Sequence, residues 1–355
     1  MKKHKMALLG VPLLALSATA SAQGSVTLYG VLDTLVAVGQ GSLTDRTQLT
    51  HSGNTTTRIG VRGVEDLGGG WSAGFVLEGG ILTDNGAGMA SNANNQAGAP
   101  SLGAAQGLTF NRRSTLSLFS PWGELRLGRD YVPSYSNMNT FDSFGNAGVG
   151  TAIMALLGVT SSTPAGIRAS NSIAYHLPAG TLGGLYGNAM IAWGENAQGT
   201  PNEDDGDYQG VRLGWAQGPW NVAFATGKLK QLGNDSRPRN YGFTYNFGTV
   251  TYALGFADER LGGIKGKGIQ TGVEWRVGVG QVRASYGSYK RETGLEPETR
   301  KLAVGYVHNL SKRTAVYTTF AHVSNKGGAG YALNGSTTAA NQSSRGLDIG
   351  LRHAF

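Results

Sequence analysis

Along most of the chain, apolar and polar side chains take strict turns. Tyr241, Phe243, Tyr245 and Phe247 fall on one face of a period-two ladder, with Gly242, Thr244 and Asn246 on the other. After Gly248-Thr249 the pattern resumes with Val250, Tyr252, Leu254 and Phe256. Ile269, Thr271, Val273, Trp275 and Val277 alternate with Gln270, Gly272, Glu274 and Arg276. Trp220, Val222 and Phe224 repeat the design, as do Val211, Leu213 and Trp215. A period of two is the signature of strands with one greasy face and one polar or small face. From Ser25 to Phe355 about 16 such segments, each of about ten residues, follow one another.

The last segment is the most telling. Leu347, Ile349, Leu351, His353 and Phe355 share a face, and Gly346, Asp348, Gly350, Arg352 and Ala354 share the other. A soluble sheet seldom needs its final residue to be a large aromatic on the greasy side. The connections alternate too. Short turns are expected at 66–70, 121–123, 178–183, 217–219, 248–249, 278–280 and 309–312. Long loops are expected around 39–54, 82–108, 131–167, 194–207, 230–238, 259–266, 291–298 and 325–342. One blunt rim and one loopy rim is the form of a transmembrane β-barrel. Closure also removes the free edges that so many strands would otherwise expose. The fold class is therefore all-β, a 16-stranded antiparallel barrel.

Charge decides which face points where. The non-greasy face carries Asp33, Arg58, Arg62, Glu78, Arg113, Arg126, Arg168, Arg212, Glu274, Arg276, Arg283 and Asp348. A dry core could not hold them without extensive pairing, so they need water. A barrel of this size encloses an aqueous channel, with the apolar face turned to lipid. Trp71, Trp122, Trp215, Trp220, Phe247, Tyr252 and Phe355 cluster near the short turns, as an interfacial girdle would.

Lys2, Lys3 and Lys5, an apolar run from Met6 to about Leu16, and Ala20-Ser21-Ala22 read as an export signal over residues 1–22. The barrel domain then runs from 23 to 355. The apolar run is too short for a spanning helix, which needs roughly 20 residues. Removing the signal takes its three lysines, leaving 27 basic against 22 acidic residues, a net +5. That excess is scattered, with no basic stripe or module for nucleic acid. Glycine makes up 57 of 355 residues, and cysteine is absent, which excludes disulfides and thiol chemistry.

Six stretches resemble the trimeric general porins of the Gram-negative outer membrane, of the beta-proteobacterial and neisserial type. They are SVTLYGVLDT (25–34), TRIGVRGVEDLGGGWSAGFVLE (57–78), RRSTLSLFSPWGELRLGRDY (112–131), NSIAYHLP (171–178), KLAVGYVHNLSKRT (301–314) and GLDIGLRHAF (346–355). The resemblance spans essentially the whole mature chain. It implies a third loop, about Tyr131–Ile167, folded into the lumen to narrow it. It implies wall arginines at Arg58, Arg113 and Arg168, with Arg62 and Arg126 matching less closely, opposed by acid on the loop. It implies that the terminal strand, Leu347 to Phe355, is read by the barrel-assembly machinery. The expected partners are two further copies of the chain, outer-membrane lipid and lipopolysaccharide, and small hydrophilic solutes. No cofactor is expected.

Between Tyr131 and Ile167 the one charged residue is Asp142, fewer acids than such a loop is expected to carry. Four or five arginines against one carboxylate leave the narrow zone net positive, so an anion preference is expected. The stretch TAIMALLGV (151–159) is apolar enough to pack on the inner wall. Small inward residues (Gly242, Gly255, Gly272, Gly350, Ala225 and Ala253) are expected to leave the lumen open. Val26, Leu28, Leu32, Leu347, Ile349 and Leu351 are candidate contacts between copies.

Two other functions stay open at this point: an outer-membrane barrel hydrolase, and a plugged structural or adhesive barrel. No G-x-S-x-G elbow, P-loop, dinucleotide fingerprint or H-E-x-x-H spacing occurs. His308 and His353 fall on the lipid side or near a rim. Asp45 and His51 share one loop, a weak hint of catalysis. The acidic run 203–207 fits no EF-hand register and reads as a solvated loop.

Overall fold

A computed structural model describes residues 25–97, 101–102, 107–178, 180 and 182–355. The expected export signal lies outside them. Sixteen antiparallel strands close into a barrel. Closure is made by the first strand, Ser25–Gln40, whose Val31–Gln40 pairs with Ala354–Arg345 of the last strand. Its lower half, Ser25–Val31, pairs with Val64–Arg58 of the next barrel strand. Beside its upper half the first long connection folds back as Arg46–His51 and extends the wall. Phe355 completes the seam by exchanging backbone hydrogen bonds with Gly30 at 3.1 and 3.0 Å. A β-carbon on Gly30 would lie 2.4 Å from the Phe355 ring, so this position accepts only glycine.

Burial is inverted relative to a soluble protein. On the strand Glu298–Asn309, Lys301 is 3% exposed while its neighbours Leu302 and Val304 are 59% and 49% exposed. The greasy residues therefore clothe the outside. Val26, Leu28, Leu116, Ile349 and Leu351 all point away from the lumen. The blunt rim carries its aromatics as expected. Trp71 meets Trp122 edge-on at 5.8 Å, and Trp220 packs on Phe243 and Tyr245. Among the described residues no helix is long and apolar enough to cross a membrane, so the crossing is made by strands.

Three of the expected long loops are hairpin tips instead. Strands Val250–Leu261 and Ile264–Val277 are joined by Gly262-Gly263 alone. The connections after Leu229 and Glu292 are also shorter than expected, resuming as strand at Ser236 and Glu298. These strands run on past the apolar band because exposed ion pairs replace the greasy face there. Lys267 meets Glu292 at 2.6 Å, Lys290 meets Glu296 at 2.7 Å and Arg300 meets Glu298 at 2.5 Å. Charged alternation reads as loop to a hydrophobicity scan, yet it pairs as well as any strand.

Candidate functional site: an arginine wall facing an anchored loop

The long third connection lies inside the barrel. It leaves the strand Gly123–Tyr131, crosses the lumen and returns at Arg168. Two short helices form in it, α1 (Pro133–Thr140) and α2 (Ile153–Leu156). Pro133 starts α1, where its missing N–H costs nothing. Val132, Met138, Leu156 and Leu157 are fully buried against small wall residues such as Ala174, Ala192 and Ala257.

The inward glycines are seats for this loop. A β-carbon on Gly242 would lie 1.8 Å from the Phe141 ring. One on Gly255 would lie 2.8 Å from Leu156, and one on Gly272 would lie 2.4 Å from the Ser143 hydroxyl. The expectation that these residues leave space is thus corrected: the space is used to bring the loop against the wall.

Polar anchors hold the loop as well. Asp348 accepts from the Val149 N–H at 2.9 Å. Glu259 accepts from the Val159 N–H at 3.2 Å, from the Thr160 hydroxyl and from the Tyr289 hydroxyl at 2.7 Å. Asn137 and Asn240 bond side chain to side chain at 2.8 Å, and Lys301 donates to the Thr151 carbonyl. Asp142 takes the N–H groups of Phe144, Asn146 and Ala152 at 2.9, 3.0 and 2.7 Å. It is 5% exposed. Expected as the acid facing the pore, Asp142 instead fastens its own loop; a short carboxylate next to three free amides satisfies them before it can reach water.

The arginines behave differently. Arg58 and Arg112 share Glu78, at 3.3 and 2.7 Å. Arg113 lies opposite Glu78 in the strand register and 3.6 Å from Asp130. Arg126 is clasped by Glu124 at 2.7 Å and by Asp130, so its charge is largely matched. Arg168 lies over the Tyr131 ring at 4.3 Å. Arg62 lies over Tyr29 at 5.2 Å. All five wall arginines named from the sequence therefore stand on one continuous sector, on strands that neighbour each other. Three carboxylates, Glu78, Glu124 and Asp130, serve that sector.

Sequence reasoning missed three members. Arg112 precedes its strand, so parity gave it no face; it folds inward and is 5% exposed. Arg129 donates to the Asn111 carbonyl at 2.7 Å and the Ser170 hydroxyl at 2.8 Å. No carboxylate lies within 4 Å of it among the described residues. Tyr131 accepts from both Arg112 and Arg168, at 2.8 and 2.7 Å, and stacks on Tyr135 of α1 at 4.8 Å. Burial raises the Tyr135 hydroxyl above its usual range, so Tyr135 stays uncharged. The signal available in the sequence was the Arg112-Arg113 doublet, which alternation cannot place with one residue facing lipid.

Asp45 caps the Gly41 N–H, and His51 bonds Ser52; no catalytic group forms there. The acidic run is spent on local caps and on a Lys230–Asp204 pair at 2.7 Å. Among the described residues no three acidic or histidine side chains are grouped to hold a metal.

Residues 7–328 match the family of Gram-negative porins. The chain belongs to that family. The outer membrane porin protein 32 of Delftia acidovorans is 34% identical over 99% of this chain and all of its own length. An outer membrane porin protein of Bordetella pertussis is 27% identical over the same share. Among solved structures, the anion-selective porin from Comamonas acidovorans superposes with a TM-score of 0.81 at 33% identity, covering 94% of this chain and 100% of that one. The trimer form of OmpT from Vibrio cholerae shares the fold, with a TM-score of 0.65 at 13% identity over 94% and 99% of the two chains. This porin is thus an outer-membrane barrel for passive diffusion of small hydrophilic solutes, and not an enzyme.

Proposed function

We propose that the pore prefers anions, and that Arg58, Arg62, Arg113, Arg126 and Arg168 with the newly found Arg112 and Arg129 set that preference. The carrying observation is an asymmetry of exposure. Arg58 and Arg113 keep 26% and 27% of their side chains open to the lumen. Asp33, Asp142, Glu259 and Asp348 are all 5% exposed or less. Permeating ions meet the guanidinium groups of Arg58 and Arg113, while Asp33, Asp142, Glu259 and Asp348 are taken up by amide and hydroxyl donors of the protein. Arginine stays charged throughout the working pH range, and several like charges in a narrow aqueous gap raise the local concentration of counter-ions. The similarity to an anion-selective porin supports the same reading.

The test is the zero-current potential of reconstituted channels in a KCl gradient. Wild type should show anion preference, and Arg58→Gln combined with Arg113→Gln should move the anion-to-cation permeability ratio by about threefold toward cations. A cation preference in wild type would overturn the proposal and leave the channel assignment intact.

Assembly follows from the outer face. A groove of about 590 Å³ lined by Val36, Leu49, Ile349 and Leu351 lies across the seam of first and last strands. With exposed Val26, Leu28 and Leu32 it fits the contact between copies of a homotrimer. Outward Arg239, Lys267 and Lys290 share one register row with Asp258 beyond the apolar band, where lipopolysaccharide phosphates lie. The terminal strand from Leu347 to Phe355, with Ile349, Leu351 and His353 outward, is the segment for the assembly machinery. Unheated gel migration of cross-linked outer membranes would show the trimer; a monomer only would reject it.

A further inference from the structure

Above the anchored loop, toward the long-loop rim, the inner face breaks its own rule. Inward positions there should be polar, yet Leu261 and Ile264 flank the Gly262-Gly263 tip and face inward. With Ile153 of α2 and Tyr331 from the last long loop they line a cavity of about 510 Å³. Ile264 and Tyr331 are each 37% exposed, so the apolar surface is open to the solution that fills the channel.

One cation lines the same cavity. Arg291 shares the inward face of its strand with Tyr289. Its backbone N–H bonds the Pro297 carbonyl at 2.9 Å. Its guanidinium has no carboxylate within 4 Å and no hydrogen-bond acceptor among the described residues. The inward acid Glu259 is fully buried and its oxygens are taken by Tyr289, Thr160 and Val159. No acid lines the cavity beside Arg291.

An unpaired guanidinium presents a planar fork that suits a carboxylate. Exposed apolar surface beside it costs free energy in water, roughly 25 cal/mol for each Å² left wet, and that cost is relieved by any apolar body that covers it. The volume lies in the range of small-molecule sites. We propose that this cavity docks small monocarboxylates bearing a short alkyl or phenyl body, at the outer mouth and before the arginine wall. This rests on the reading of the pore as an anion channel. Partial enclosure makes the site weak, as a channel needs, since a solute must leave as readily as it arrives. The site would raise the local concentration of amphipathic anions over that of chloride or acetate.

Planar-bilayer recording tests it with 4-phenylbutyrate as the probe, added on the long-loop side. Brief current interruptions should appear, with a frequency proportional to concentration. Acetate, which has the charge without the body, and 4-phenylbutanol, which has the body without the charge, should interrupt about tenfold less often. Arg291→Gln should lower the phenylbutyrate frequency about tenfold while open-channel conductance stays at the wild-type value. Ile264→Ser, which keeps the charge and removes apolar wall, should also lower it, and it serves should Arg291→Gln fail to assemble. Equal interruption by phenylbutanol, equal interruption of Arg291→Gln, or no interruption of wild type overturns the proposal. The zero-current potential of the same channels in KCl is read separately, so loss of the docking site is distinguishable from loss of anion preference.

Discussion

On the strands from Arg58 to Tyr131, and at Arg168, inward positions carry long charged side chains that reach toward water. On the strands from Tyr208 to Ala354, the inward face under the loop is built of glycine, alanine, asparagine and acids, and its long cations Arg212 and Lys301 are bonded to the loop itself. Both sectors obey the same alternation and both point their greasy residues outward. They differ in what occupies the space in front of them. One sector faces the open gap, so Arg58 and Arg113 keep about a quarter of their side chains in water and act at a distance. The other is covered by the loop, so Glu259 and Asp348 are spent on loop amides and hydroxyls and its glycines on loop side chains. A polar inner face is thus two surfaces, one for solutes and one for a plug that narrows the path.

The sharpest way to break this division is to remove a seat. Gly242→Val places branched carbon where the Phe141 ring lies, and the ring must leave. Overpacking of this kind costs about 1–3 kcal/mol, more than one loop contact returns. The barrel seam is remote from Gly242, so the barrel should still close. Single-channel conductance should rise and its distribution broaden, and limited proteolysis should cut within 132–167. Unchanged conductance with a resistant loop would mean that the glycines are not seats.

This is also where the sequence was least legible. Strand number, closure, the inverted burial and the aromatic girdle follow from period-two alternation, and Arg58, Arg113 and Arg168 follow from parity within clear strands. Gly242 and Gly255 look like empty space in a linear reading, because the residue that fills it, Phe141 or Leu156, is about a hundred positions away. Asp142 looks like a pore acid because a lone charge in a loop has no visible partner until the loop curls and offers its amides. Lys301 is similarly opaque, since its partner is a carbonyl of the loop. Ion-paired hairpin tips escaped because alternation there is between charge and small residue, which carries no hydrophobic period.

A milder test varies only the solution. If the water-facing arginines set selectivity, salt must weaken it, because the screening length falls from about 10 Å at 0.1 M to about 3 Å at 1 M. The permeability ratio should drift toward that of free solution as KCl is raised at a fixed gradient. A ratio that holds constant would place the responsible charges out of reach of salt, on the covered sector.

The smallest effect is expected from Asp142→Asn, and it separates the two sectors most cleanly. Were Asp142 a pore acid, losing its charge would increase anion preference by about as much as losing Arg113 decreases it. Because its oxygens hold the amides of Phe144, Asn146 and Ala152, the substitution should leave the zero-current potential unchanged. Asparagine keeps one acceptor oxygen but trades charge-assisted bonds for neutral ones, a loss of about 1 kcal/mol. That loss should appear as faster hydrogen exchange at those three amides and nowhere on the arginine sector. A carboxylate inside a pore is therefore no measure of its field until its hydrogen bonds are counted.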